Sequence, residues 1–435
     1  MKKANIRKAL AAGATLAIAA AALSACSSGG GSNGGSDDKT VTIYGTISDT
    51  EAELLEQSWA DFEKESGITI KYEASKEFES QIGIRAQGGN PPDLAIFPQP
   101  GLLGDLAKRD YLVEAPEGVK SNVEKYWSKD WAAYGTVNDK LYGAPLLASV
   151  KGFVWYQPKK FAEWGVEVPK TWDELLALTK TIQEKTGTAP WCAGFGSGDA
   201  SGWPGTDWIE DLVLRQSGPD TYDQWVTNDV KFTDPKIAAA FDSVGEILKN
   251  PKYVNAGFGD VASINSTQFD DPVPSIVDGT CALHHQASFY SGFLEDGGAK
   301  VAEDGDVWAF VLPGLTEGDH PVTGGGEIVG AFNSNPDTVA VQEYLSSAEW
   351  ANSRVKLGGV ISANNGLDPA NASTAILSQA IEILQNPDTT FRFDASDLMP
   401  GSVGSGTFWK GMVNWVNGED TQTVLTEIEA GWPSE

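Results

Sequence analysis

Basic residues, histidines and cysteines are all scarce in this chain. Against 60 aspartates and glutamates stand 31 lysines and arginines in 435 residues, a formal net charge of −29. A field of that sign repels phosphate backbones and anionic membrane surfaces, which excludes nucleic acid and polyanions as partners. It carries no message about a neutral ligand. The only histidines are His284, His285 and His320. The first two are neighbours on a strand-like run and so point to opposite faces, which is the wrong arrangement for one metal ion. The triple glycine Gly324-Gly325-Gly326 is followed by Glu327 and not by a Lys-Ser or Lys-Thr pair, so it is no phosphate loop. No cofactor and no metal is expected. There is no internal repeat, and no apolar run reaches the roughly 20 residues that a membrane-spanning helix needs.

What the chain has in quantity is aromatic surface. It holds 15 Trp and 17 Phe, more indole than a plain core of this composition needs, so part of it should face a ligand. The length predicts two domains of similar size with ample apolar surface to bury.

Residues 1–25 carry a basic head (Lys2, Lys3, Arg7, Lys8) and an alanine-rich apolar run from Ala9 to Ala22, the pattern of an export signal. Leu23-Ser24-Ala25-Cys26 resembles the lipobox of bacterial lipoproteins, in which cleavage precedes the cysteine and Cys26 takes acyl chains. Two or three such chains anchor a protein stably where one does not. Residues 26–38 then form a Gly/Ser-rich tether that spans about 20 Å as a flexible coil. Without the four basic residues of the head, 27 basic and 60 acidic residues remain, a net charge of −33. The two remaining cysteines, Cys192 and Cys281, are expected to form a disulfide in an oxidising, exported setting.

From Lys39 the pattern is α/β. Val41–Tyr44 alternates as a strand, Leu55, Trp59 and Phe62 share a helix face that Gly67 ends, and Ile68–Ile70 is the next strand, which makes a βαβ unit. A helix over about 77–86, a buried strand Leu94–Phe97 after Pro91-Pro92-Asp93, and two strands at 140–145 and 151–156 follow. Thr171 and Glu174 read as a capping box opening a helix to about Lys185. Further on come a helix near 237–248, strands at 280–284, 307–312 and 328–332, and helices from Asp337 to the end, including 408–417 and 423–430.

Between Cys192 and Arg215 the sequence breaks this regularity. Gly194, Gly196, Gly198, Gly202 and Gly205 predict an irregular loop, and helical spacing resumes at Ile209, Leu212 and Val213. Trp203, Asp207 and Trp208 thus fall at the mouth of a helix N-terminus. A pyranose offers an apolar C–H face to an aromatic plane and a rim of hydroxyls to carboxylates and amides. Indoles beside a carboxylate suit that ligand, although buried Trp is also an ordinary core residue.

The order of lipobox, tether, βαβ unit, Pro-Pro-Asp strand, Gly143-Ala144-Pro145, Val168-Pro169-Lys170-Thr171-Trp172-Asp173-Glu174-Leu175 helix and late Leu312-Pro313-Gly314 resembles the carbohydrate-binding proteins of bacterial ABC importers, over essentially the whole mature chain. Ser201–Arg215 together with His284-His285-Gln286-Ala287-Ser288-Phe289 is similar to the α-glucoside-binding branch. The resemblance implies an α/β, two-lobed periplasmic-binding-protein-like fold, with a hinge of two or three crossing strands and the sugar held in the cleft between lobes. The crossings would fall near Ser149, near 303–307 and near 333–337. Lobe I would comprise 39–148 plus 307–335, and lobe II 149–306 plus 336–435.

Carried over motif by motif, the stacking positions are Trp203, Phe289 and Trp409. The hydroxyl-binding positions are Asp49, Ser75, Lys76, Gln99 and Glu327, with Ser149 where some relatives have glutamate. Asp207 and Trp208 join them from the glycine-rich segment. Trp409 also fits a core stripe with Phe408, Met412 and Trp415. The implied protein is a monomer that captures an α-glucoside, delivers it to the transmembrane subunits of an ABC permease, and touches the membrane through its lipid anchor only. It is not an enzyme; the alternative is a secreted glycoside hydrolase acting on α-glucosides, since carboxylates and indoles line those clefts too.

Overall fold

The computed structural model describes residues 39–255, 259–319, 321–386 and 388–433, and these contain two large sheets and a small two-stranded one, Thr136–Val137 with Lys140–Leu141. The export signal, Cys26 and the tether lie outside the described residues, as does His320.

The first sheet runs Phe391–Phe393, Val322–Ala331, Leu94–Phe97, Thr40–Gly45, Thr69–Ala74, and Gly143–Val150 pairs with Val322–Ala331 as well. Thr40–Gly45 and Thr69–Ala74 are parallel in the register Thr40↔Thr69. Helices Asp49–Ser58 and Ala60–Ser66 cross between them, so the expected βαβ unit forms, with a break at Trp59. Leu94–Phe97 is flanked on both sides and buried throughout, which is why it reads as an uninterrupted apolar run. The second sheet runs Trp308–Val311, Phe153–Tyr156, Leu283–Gln286, Trp191–Cys192. Cys192 and Cys281 are bonded to each other, with Cα atoms 5.7 Å apart.

The chain passes between the sheets at Lys151–Gly152, between Val311 and Val322, and after Phe393, where helix Ala395–Leu398 packs against both Pro100–Lys108 and Trp203–Val226. These crossings divide the chain differently from the expected lobes. Trp308–Val311, expected with the first lobe, pairs antiparallel with Phe153–Tyr156 in the second sheet. Helices Pro336–Leu345 and Ala348–Lys356, expected in the second lobe, pack on the first sheet and on Asp49–Ser58. Trp350 Nε1 donates to Ser58 Oγ at 2.9 Å, and Phe62 stacks on Tyr344 with centroids 4.4 Å apart. An apolar strand or an amphipathic helix carries the same pattern whichever lobe it joins, so periodicity alone did not assign these.

Three local differences matter for the site. The helix expected to begin near Ile209 begins at Trp203, with Gly202 at its cap in the left-handed region (φ 112) and Pro204 in its first turn, and the helical span Trp203–Val226 is broken in two at Gly218 (φ 77), just before Pro219. The strand expected at 328–332 starts earlier, and the triple glycine is part of it, in strand Val322–Ala331. A Cβ on Gly324 would stand 2.3 Å from the Phe391 ring, and one on Gly326 would stand 2.3 Å from the Leu147 carbonyl oxygen, so close neighbours demand glycine there. At the capping box, Thr171 Oγ1 accepts from Glu174 N at 3.2 Å, but Glu174 reaches past the cap to accept from Lys170 N at 2.7 Å.

Candidate ligand cleft

A cleft of about 210 Å³ lies where the two sheets' connecting segments face each other. One wall is aromatic. Trp203, at the head of its helix, packs with Phe269 (centroids 5.5 Å) and Phe289 (6.2 Å), and Phe293 completes the group at 5.5 Å from Phe269. All four line the cleft and remain partly exposed. Trp409 lines it from another side and is 3 % exposed. Gly202 presses on the backbone of Trp409, where a Cβ would stand 2.2 Å from its carbonyl oxygen, so the two indoles are fixed relative to one another.

The facing wall is polar. Gln99, where strand Leu94–Phe97 runs into helix Pro100–Lys108, donates through Nε2 to Glu79 Oε1 at 3.1 Å. That leaves Gln99 Oε1 and Glu79 Oε2 buried without a hydrogen-bond partner among the described residues, and Trp409 Nε1 is in the same position. Buried polar atoms are paired as a rule, so two orphaned acceptors and one donor in a cleft wall point to a ligand with hydroxyls. Lys76, Ser149 and Glu327 line the cleft as well. Burial, helped by the nearby Glu51, raises the Glu327 carboxyl to about 8. Burial also raises Glu51, Glu79 and Asp397, all cleft-lining groups.

Beneath Trp203 sits an ion cluster. The Lys151 ammonium donates to Asp207 Oδ1 at 2.7 Å and to Asp394 Oδ2, and stands 5.4 Å from the Trp203 ring centroid. Burial opposes charge here, but Asp207 and Asp394 hold Lys151 protonated, and Lys151 in return holds Asp394 ionised. Burial pushes Asp207 and Glu210 upward. Carboxyl oxygens of Asp207, Glu210 and Asp394 converge within 4.8 Å, and the Lys151 ammonium is the cation that Asp207 and Asp394 hold there. One turn on, Asp211 accepts from Arg215 Nη1 (2.7 Å) and Thr323 Oγ1 (2.6 Å) and meets His285 Nε2 at 2.8 Å. Against the penalty of burial, Arg215 and His285 hold its pKa at about 2. His284 turns the other way, its Nδ1 2.9 Å from the Cys192 carbonyl oxygen.

Of the expected ligand residues, Lys76, Gln99, Ser149, Trp203, Phe289, Glu327 and Trp409 come together in the cleft lining, and Asp49, Ser75, Asp207 and Trp208 do not. The early helix start explains the last two. Asp207 lies one turn after Trp203 on the same face, below the ring, where it is 1 % exposed and paired with Lys151. Trp208 is turned into the core, 3 % exposed and stacked on His285 at 4.2 Å. Asp49 faces solvent and accepts from Ser48 Oγ, while its neighbours Ser48 and Glu51 reach the cleft. Ser75 Oγ accepts from Glu77 N. Sequence reasoning missed Glu51, Glu79, Lys151, Phe269, Phe293, Asp394 and Asp397. Glu79 was legible from Lys76, three residues earlier at the same helix start; Phe269 lies in irregular chain with no periodic signal.

The sequence profile of the bacterial extracellular solute-binding proteins matches residues 47–352. The chain is 39% identical over 401 residues to the osmoprotective compounds-binding protein GgtB of Synechocystis sp., covering 91% of this chain and 93% of that one. It is 38% identical over 408 residues to the alpha-glucosides-binding periplasmic protein AglE of Rhizobium meliloti, covering 91% and 87%. In fold it is similar to a chitin oligosaccharide binding protein (TM-score 0.76, 20% identity, 91% of this chain and 98% of that one). It is likewise similar to RafE in complex with raffinose (TM-score 0.71, 20% identity, 90% and 98%). The two sheets are thus the halves of a two-lobed α/β binding-protein fold, and the chain belongs to the bacterial extracellular solute-binding protein family.

Proposed function

We propose that the protein captures an α-glucoside, or a closely related short saccharide, between its lobes and delivers it unchanged to the membrane subunits of an ABC importer, anchored by lipid on Cys26 and acting as a monomer. One observation carries this reading: the partly exposed cluster of Trp203, Phe269 and Phe289 faces orphaned polar atoms of Gln99 and Glu79 in one cleft. An aromatic plane covers a pyranose face, and the orphaned acceptors accept hydrogen bonds from its hydroxyls. The relatives named for α-glucosides and for osmoprotective compounds support a small neutral ligand. They are binding proteins, which favours capture over hydrolysis. Among the described residues no helix is long and apolar enough to cross a membrane, so anchoring rests on the lipobox. A thermal-shift screen over disaccharides tests the reading, because a ligand at 100 times its dissociation constant stabilises by about 2.7 kcal/mol. A screen in which trehalose, sucrose and maltose all leave the melting temperature unmoved would overturn it.

A further inference from the structure

On the Lys76 side, the cleft ends in a direct contact between the lobes. Helix Phe78–Gln87 packs in the first lobe, and the turn 197–201 belongs to the chain leading from strand Trp191–Cys192 of the second sheet to helix Trp203–Val226. Ser80 Oγ donates to Asp199 Oδ2 at 2.6 Å. Beside this bond, Gly198 (φ 58) lies so close to Lys76 that a Cβ on it would stand 3.1 Å from Lys76 Cβ and 3.2 Å from the Lys76 carbonyl oxygen. The turn is braced from within: Ser201 Oγ accepts from Ser197 N at 3.0 Å and donates to the Gly198 carbonyl at 2.7 Å.

The position of this contact gives it a meaning for ligand choice. Ser197 and Ala200 from the turn, and Lys76 and Glu79 from the opposite side, line the cleft; Ser80, Gly198 and Asp199 lie just beyond where the lining stops. The same turn runs directly into Trp203, and the same helix start carries Glu79. The ring platform and the polar wall are therefore joined across the mouth by one hydrogen bond and one backbone contact. Ser80 and Asp199 are both exposed, so no core holds them in place and the bond exists only while the lobes are together.

We propose that the turn 197–201 and the start of helix Phe78–Gln87 form a gate that closes behind a short saccharide, with Ser80 and Asp199 setting both ligand residence time and the chain length accepted. The proposal rests on the sugar-capture reading and adds a limit to it. A ligand that ends short of Lys76 leaves the gate closed. A ligand that runs past Lys76 must occupy the space where Gly198 touches Lys76, and it then loses the Ser80–Asp199 bond.

The test uses two chain-length series, maltose to maltotetraose and sucrose to stachyose. Affinity by calorimetry and dissociation by stopped-flow tryptophan fluorescence are measured for the wild type, Ser80→Ala, Asp199→Ala and the double variant. The wild type should prefer the disaccharide of the series it binds. Asp199→Ala should speed release of that disaccharide about 3- to 10-fold, the range of one solvent-exposed hydrogen bond. It should barely change release of the longest member, so that the preference narrows, and the double variant should release no faster than either single one. Melting temperatures without ligand should match the wild type, because both side chains are exposed. Equal losses on short and long ligands, or effects of the two substitutions that simply multiply, would overturn the gate while leaving sugar capture intact. If trehalose alone binds, its release should quicken by the same factor in Asp199→Ala, and unchanged release would overturn the gate; a wild type that binds neither series nor trehalose would overturn both.

Discussion

Replacing Trp203 with alanine separates a ligand platform from a core residue. The ring is partly exposed, packs against Phe269 and Phe289, and stands over the Lys151 ammonium. Each aromatic pair is worth about 0.5–1.5 kcal/mol beyond area burial, so losing two removes about 1–3 kcal/mol of unfolding free energy on top of the smaller share from the area that the half-exposed ring buries. For a domain of this size, that lowers the melting temperature by only a few degrees. Binding should suffer more. A central anchor of a desolvated site contributes about 2–4 kcal/mol on truncation, which is about 30- to 1,000-fold in affinity. Calorimetric titration of a bound α-glucoside into wild type, Trp203→Ala and Trp203→Phe, with melting curves beside each, measures both. Trp203→Phe should recover most of the affinity, since a phenyl still offers a stacking face. Unchanged affinity in Trp203→Ala, or a fall in unfolding free energy of about 5 kcal/mol or more, the loss of a fully buried indole, would refute the platform and return the ring to the core.

Three further outcomes follow from the same structure. Lys151→Met leaves Asp207 and Asp394 without their cation and should lower stability by about 3–5 kcal/mol, with the loss smaller at pH 5 than at pH 8, because the freed carboxyls take up protons; equal losses at both pH values in chemical denaturation would contradict this. Glu327 stays protonated in the folded state up to about 8 against a usual 4.5, so the folded chain binds more protons than the unfolded one across that window and its stability should fall as pH rises from 5 to 8, by at most about 1.4 kcal/mol per pH unit from this group; Glu327→Gln should flatten the slope, and a slope unaltered by the substitution would speak against it. Cys26→Ala should move the protein from the membrane fraction to the soluble one, and wild-type protein that is already soluble with an unmodified Cys26 by mass would contradict lipid anchoring.

Much of this was legible in the sequence, for reasons that vary with the residue. Strands such as Leu94–Phe97 and Phe153–Tyr156 are buried on both faces and announce themselves as apolar runs. Trp203 stood out because an indole among glycines has no neighbouring aliphatics to share a core with. The assignment of Trp308–Val311 to a sheet was not legible, because strand pairing is decided by partners more than 150 residues away in sequence. Asp207 was misplaced by a local error with a local cause: the glycines between Cys192 and Gly205 masked the start of the helix, although Pro204 is the residue type that favours a first turn. Lys151, Asp394 and Asp397 form one cluster only after the chain has crossed between the sheets, and no spacing in the sequence brings them together.

The central claim is that the cleft between Trp203 and Gln99 holds an α-glucoside without cleaving it. Calorimetric titration of the mature protein with trehalose, sucrose and maltose, followed by chromatography of the recovered sugar, tests it most directly. The account predicts saturable binding of at least one of the three at a stoichiometry of one, with the sugar returned intact. Absence of binding to all three, or release of glucose from the bound sugar, would contradict it.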